Sequence, residues 1–333
     1  MKILILRFSS IGDIVLTTPV VRCLRHTYPD AEIHYATKQA FASIVQSNPH
    51  INKVYTLGNS VLDLVGELRK ENYDYIVDLH HNQRTLLIKT LLGKKSAAFD
   101  KLNYEKWLLV NFKIDKLPKV HIVDRYIDTC KELGVMNDGK GLDYFIGKDD
   151  VVDPATLPVA FQQGYVAWVI GAKQNTKKFP VEKIIATLSR ADYPKVAVML
   201  LGGKEDMQEA EAIYNACKDK VQLYNAAGKY KLNQSASLVQ QAKAVIANDT
   251  GLMHIAAAYK RPIVSIWGNT VPKFGMYPYY GNYQVKNYQL QVEHLSCRPC
   301  SKLGYSACPK GHFKCMNDIQ DAEVVAALRA ILQ

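Results

Sequence analysis

The 333-residue chain has no apolar run near the ~18 residues that a membrane-crossing helix needs. Its first apolar stretch, Ile3 to Leu6, stops at Arg7, and no small-residue cleavage site follows. The start therefore does not read as a signal peptide, and a soluble cytoplasmic protein is expected. There is no internal repeat and no low-complexity tract, which argues against solenoids and disordered linkers. Zinc-finger, basic-zipper and RNA-recognition signatures are absent as well. No nucleic-acid partner is expected, in spite of a net charge of +11. The first strand-like run is not followed by Gly-x-Gly-x-x-Gly, nor is an acidic residue placed for a dinucleotide fingerprint; this weighs against a nicotinamide oxidoreductase. No paired-carboxylate metal motif appears, so no divalent cation is expected in catalysis. Cysteine is sparse, seven in all. Cys23, Cys130 and Cys217 are scattered in helical patterns and read as buried side chains. Cys297, Cys300, Cys308 and Cys315 cluster near the end.

What is present is alternation. Strand-like runs at 2–6, 32–36, 53–56, 75–78 and 95–99 are separated by helical patterns at 17–27, 40–46, 61–70, 83–92 and 124–133. After a polar stretch closed by Pro154 the alternation restarts, with strands at 165–170, 196–201, 222–224, 244–247 and 263–266. Such alternation implies parallel sheets covered by helices on both faces. The length suits two doubly wound domains, divided as 1–153 and 154–316, with a short amphipathic helix in 317–333. The basic excess is uneven. Residues 84–119 hold nine Lys and Arg against three Asp and Glu, which favours an anionic partner over a neutral one.

Chemistry-bearing residues fall where strands end. Strand 2–6 runs into Ser9-Ser10-Ile11-Gly12-Asp13, delivering one carboxylate to the sheet edge where ligands bind in open α/β folds. Asp13 is either the N-cap of the next helix or a catalytic carboxylate. Strand 75–78 ends in Asp78-Leu79-His80, with Arg84 opening the next helix; His121 and Arg125 are weaker neighbours of the same kind. In the second half, Lys173, Lys177 and Lys178 lie in a loop suited to a diphosphate, and Gly202 ends the next strand with room for a nucleotide. Asn248-Asp249-Thr250-Gly251, with His254, joins a strand to a helix start, a ready anion site. Read alone, Asp249 and His254 are equally an N-cap and a core histidine.

In order and spacing these loops, with the late cysteines, closely resemble the bacterial heptosyltransferase family, glycosyltransferase family 9. The resemblance spans nearly the whole chain. It implies a GT-B fold, two Rossmann-like domains facing a cleft, with the C-terminal helix packing back on the first domain. It implies that Asp13 is the catalytic base, that Lys177 and Asp249 contact the donor, and that Thr250, Gly251 and His254 form its phosphate site. Lys173 and Gly202 join the donor set, and Ser10, Gly12, His80, Arg84 and Arg125 the acceptor set. Where some members place small hydroxyl residues after the first strand of the second domain, this chain has Ala172 and Lys173. The implied reaction is inverting transfer of a heptose or similar sugar from a nucleotide diphosphate sugar, by default ADP-heptose, to a lipid-linked anionic glycan such as the lipopolysaccharide inner core. It requires no cofactor and implies peripheral contact with the cytoplasmic face of the inner membrane. A nucleotide-sugar epimerase or hydrolase, or a non-catalytic nucleotide-binding module, is the alternative. The four late cysteines, spaced by two, seven and six residues, suit either a structural zinc or a reduced cluster.

Overall fold

A computed structural model describes residues 1–333. It divides into two compact units, Met1–Leu102 with Val120–Phe145 and Gly281–Tyr283, and Asn103–Lys119 with Ile146–Tyr280 and Gln284–Gln333. The division differs from the expected 153/154 boundary. The 103–119 segment belongs with the second unit because Leu109 is buried beside Val271 and Phe274.

The first unit is a parallel sheet of β1 (Lys2–Leu6), β2 (Glu32–Lys38), β3 (Lys53–Leu57), β4 (Tyr75–Asp78) and β5 (Lys95–Ala98), in the order β3-β2-β1-β4-β5. β1 pairs Lys2 with Glu32 through Leu6 with Ala36 on one side, and Ile3 with Tyr75 through Leu6 with Asp78 on the other. A strand central to a doubly covered parallel sheet is apolar on both faces. Ile3, Leu4, Ile5 and Leu6 are accordingly all buried, each stabilising the fold by about 1.5–3 kcal/mol. Its helices are α1 (Ile11–Val15), α2 (Thr18–Thr27), α3 (Val61–Arg69), α4 (Gln83–Leu92) and, after the α5 segment (Asn103–Phe112) of the other unit, α6 (Ile122–Asp128). The expected helix at 40–46 is a 3-10 segment, Gln39–Ile44. Arg22 of α2 is buried and ties down the returning chain through Asp138 at 2.8 Å and through Asp143.

The second unit carries β6 (Val166–Val169), β7 (Val198–Leu201), β8 (Leu223–Asn225), β9 (Ala244–Asn248), β10 (Ile263–Trp267) and β11 (Asn287–Gln291), all parallel, in the order β11-β10-β9-β6-β7-β8. Around it lie α7 (Val159–Gln162), α8 (Val181–Leu188), α9 (Met207–Cys217), α10 (Leu232–Gln241), α11 (Gly251–Ala258), α12 (Lys314–Asn317) and α13 (Asp321–Leu332). The C-terminal helix α13 packs in this unit's own core, where Val324, Ala327, Leu328 and Ile331 join Val264, Ile266, Ile184 and Leu188. Four apolar side chains at helical spacing find a complete partner surface there. No helix of the structure is long and apolar enough to cross a membrane.

The strand orders locate the ligand edges. In an open α/β sheet the crevice lies at the carboxyl ends of the strands, where the order reverses. In the first unit that point is between β1 and β4, and in the second between β6 and β9.

Candidate active site at two sheet edges

At the β1/β4 edge, Asp13 stands in the first turn of α1. The helix cap is Ser10; Asp13 sits three residues on and completes a capping box. The backbone N–H and Oγ of Ser10 both donate to Asp13 Oδ2, at 3.1 and 2.7 Å. Arg7 holds the other oxygen, Nη2 lying 2.6 Å from Oδ1. The Arg7 side chain is only 8% exposed, whereas that of Asp13 is 22%. Arg7 also donates to the carbonyls of Ser9 and Leu79 and to Tyr126 Oη. Burial alone would disfavour its charge; the nearby Asp13 and tyrosine oxygens outweigh this and raise its pKa. Asp13 is thus a carboxylate gripped on both oxygens by fixed donors, and the same residue completes the helix cap.

His80 lies on the adjoining loop. Asp78 is fully buried, receives the N–H groups of His80 and His81, and pairs with Lys89 at 2.9 Å. The His80 ring meets Phe8 edge-on at 5.6 Å, and its buried Nδ1 has no hydrogen-bond partner. Burial, then the positive charges of Arg7 and Lys101, push its pKa down to about 4, so it is neutral at physiological pH. The remaining first-unit candidates divide. Gly12 is buried within α1. Arg84 is exposed on the first turn of α4. Arg125 on α6 donates to the Asp100 carbonyl at 2.6 Å. His121 caps α6, its Nδ1 accepting from Val123.

At the β6/β9 edge the matching cluster is Lys177, Asp249 and Thr270. Lys177 Nζ is 2.6 Å from Asp249 Oδ2, and Thr270 Oγ1 donates to the same oxygen at 2.9 Å. Asn248, the last residue of β9, is 2% exposed. Its amide donates to the Ile170 carbonyl and accepts from Phe179 N–H, at 3.1 Å each. One side chain therefore fixes the loop carrying Lys177 against the strand carrying Asp249. Thr250 is the N-cap of α11, and its buried Oγ1 has no partner in the protein. The first N–H groups of α11, beginning at Gly251, have no intrahelical acceptor, so a helix start, an orphan hydroxyl and a lysine converge. His254 lies on the same helix and is 1% exposed.

The other lysines and glycines of this edge divide. Lys178 pairs with Asp206 at 2.7 Å and Glu209 at 3.0 Å. A Cβ at Gly202 or Gly171 would collide with Asp206, whose carboxylate also accepts Gly203 N–H. Lys173 is exposed on the loop. Arg7, Tyr126, Asn248 and Thr270 had no assigned role in the sequence reading; a charged residue ending an all-apolar strand was the available signal for Arg7. Glu32, His34 and Glu71 bring ligand atoms within 4.8 Å of one another. Their carboxylates are already held by Lys2 and Lys53 at 2.7–2.9 Å, at the opposite edge of the first sheet.

Two doubly wound parallel-sheet units, each with a charged cluster at its switch point, define the GT-B class of glycosyltransferases. Residues 61–307 match the family model "Glycosyltransferase family 9 (heptosyltransferase)", and the chain belongs to that family. It is 25% identical over 295 residues to lipopolysaccharide heptosyltransferase 1 of Campylobacter coli, covering 81% of this chain and 84% of that protein. It is 26% identical over 276 residues to lipopolysaccharide heptosyltransferase 3 of Escherichia coli K12, covering 78% and 80%. The fold matches the structure of the E. coli ADP-heptose lipopolysaccharide heptosyltransferase II, with a TM-score of 0.75 over 100% of this chain and 98% of that one, at 21% identity. The protein is a glycosyltransferase.

Proposed function

We propose that this protein transfers a heptose, with inversion, from a nucleoside diphosphate donor, ADP-heptose by preference, to a lipopolysaccharide inner-core acceptor. The observation that carries this reading is the Lys177–Asp249–Thr270 cluster beside the start of α11, at the switch point of the second sheet. Lys177 and the free N–H groups of α11 stabilise the diphosphate where negative charge develops as it leaves. Asp249, released from Lys177 by the incoming phosphate, takes sugar hydroxyls. At the first sheet, Asp13 accepts the proton of the acceptor hydroxyl as its oxygen bonds to the anomeric carbon. The bond from that carbon to the diphosphate breaks, and its electron pair leaves with the nucleotide. A single base without a second nucleophile gives one displacement and inverted configuration. His80, neutral and beside Asp13, offers its ring nitrogen to the acceptor, and Ser10, Arg84 and Arg125 border the same edge.

This chemistry draws on fixed protein charges and uses no divalent cation; the rate is expected to be the same with and without added Mg2+. The basic 84–119 segment is read as the surface meeting an anionic, membrane-borne acceptor at the cytoplasmic face. It carries exposed Tyr104, Trp107 and Phe112 among its lysines, a composition suited to a membrane interface.

The test is transfer from ADP-heptose and a panel of other nucleotide sugars to a core-oligosaccharide acceptor, with product stereochemistry read by NMR. Heptosylated acceptor of inverted configuration supports the reading. Donor turnover that proceeds equally well without acceptor replaces it by an epimerase or hydrolase.

A further inference from the structure

The connection from β11 to α12, residues 292–313, contains neither helix nor strand. Only Pro299 and Ser301 within it are buried. Irregular stretches of more than ~12–15 residues are uncommon in compact domains, and this one lays only the half-buried Val292, Leu295 and Phe313 against its unit's core. It does have cysteines. Cys297, Cys300 and Cys308, with Cys315 at the start of α12, line one cavity together with His312 and Asn269. All are free thiols.

The surroundings fit a metal–thiolate centre. Asn269 is 2% exposed, and neither atom of its side-chain amide has a partner. An amide N–H facing thiolate sulfur would satisfy it. The N–H of Lys314 donates to His312 Nδ1 at 3.0 Å, which puts the ring proton on Nε2, and Nε2 lies 3.8 Å from Cys297 Sγ. His312 therefore faces the sulfur as a donor, which leaves the four cysteines as ligands. Four sulfur ligands suit a tetrahedral zinc or iron ion.

The same loop grips both sides of the candidate donor cluster. Tyr305 N–H donates to Thr176 Oγ1 at 2.8 Å and its carbonyl accepts Thr176 N–H at 3.1 Å, next to Lys177. Arg298, inside the first cysteine pair, donates to the Thr270 carbonyl at 2.9 Å, and Thr270 in turn bonds to Asp249.

We propose that Cys297, Cys300, Cys308 and Cys315 bind one thiophilic metal ion, zinc or iron, and that this site positions the Lys177–Asp249–Thr270 cluster. Binding replaces each thiol proton by a sulfur–metal bond and releases the proton to solvent, with no change of oxidation state. The metal assignment stands on the cysteine loop alone; the positioning role rests on the donor-site reading above.

The full chain, produced without a histidine tag, is analysed by plasma mass spectrometry and by alkylation of native thiols. The expected result is about one zinc or iron per chain, with the four cysteines protected until a chelator and denaturant are added. Visible sulfur-to-metal absorption distinguishes iron from colourless zinc. Metal below on the order of a tenth of an equivalent, with the four thiols alkylated in the native protein, overturns the assignment. Cys300→Ser is expected to lose the metal; should it fail to fold, the wild-type stoichiometry and thiol protection still decide. For positioning, Thr176→Val keeps the metal and severs one loop contact. ADP affinity measured by calorimetry is expected to fall severalfold in this variant and in chelator-treated protein that retains its circular dichroism. Unchanged ADP affinity in both overturns the positioning role without touching the metal result.

Discussion

The two sheet edges use one device with different cations. Asp13 is held by Arg7, and Asp249 by Lys177, each ion pair 2.6 Å long. Arg7 is the less exposed cation, at 8% against 17%, and its guanidinium also serves two carbonyls and a tyrosine hydroxyl. A planar guanidinium with five donors suits such permanent scaffolding. Lys177 offers a compact ammonium on a flexible stem, which donates to Asp249. In the proposed reaction its charge passes from carboxylate to phosphate. The comparison teaches that the first pair fixes a carboxylate, while the second keeps a cation ready to be displaced.

The largest expected effect is at Asp13. Asp13→Asn keeps the size of the side chain but cannot take a proton, so kcat should fall by about 10^2–10^4. ADP affinity, measured by calorimetry, should stay within about twofold, because the second unit is untouched. Turnover near that of wild type would remove Asp13 from the base role.

Next is Lys177→Met, which should lower kcat/KM by about 10^2 and weaken ADP binding. Asp249 keeps the Thr270 hydroxyl as a donor when Lys177 is lost, so Tm should fall less than on loss of Arg7. Arg7→Met should do the reverse. It strips a buried cation from Asp13 and leaves two carbonyls and a tyrosine hydroxyl without their donor, costing about 3 kcal/mol of stability by urea titration. Should Lys177→Met prove the more destabilising of the two, the contrast between scaffold and displaceable cation collapses.

The smallest effect is a pH dependence at His80. Its pKa falls from 6.5 to about 4 in the folded protein, chiefly through burial. Below pH 6.5 the unfolded chain takes up a proton that the folded one refuses down to about pH 4. The His80 contribution is therefore intact above pH 6.5 and is lost as pH falls from 6.5 to 4. In His80→Gln, stability should decline less over that window. Identical pH–stability curves for the two proteins would place the ring in a more solvated setting.

Ten of the strands are readable in the chain, the central ones because parallel strands buried on both faces are continuous apolar runs, as in Lys2–Leu6, Ala244–Asn248 and Ile263–Trp267. β11 is missing from the expected strands. Asn287-Tyr288-Gln289-Leu290-Gln291 alternates polar and apolar residues, the mark of a half-covered edge strand, and lacks the continuous apolar run of the central strands. α1 was hidden for another reason: five residues are too short to show helical periodicity, and only the Ser10–Asp13 capping box reveals the turn. At the candidate site, Asp13, Lys177 and Asp249 are legible as charged residues that follow strands. The roles of Arg7, Asn248 and Thr270 are not, since each depends on a partner from a distant part of the chain.

From its amino-acid order alone this protein is two parallel-sheet domains with charged loops at their strand ends, because burial on both faces writes itself as local apolar runs and local turn chemistry. Tertiary structure alone decided which charges meet. Strand order put β1 beside β4 and β6 beside β9, so that Lys177 meets an aspartate 72 residues away. Lys178, its neighbour, was turned instead toward Asp206 and Glu209. It also placed α13 in the second unit's core, where its apolar stripe is covered. Pairings of this kind are fixed by topology and packing across the fold, which no local pattern of residues encodes.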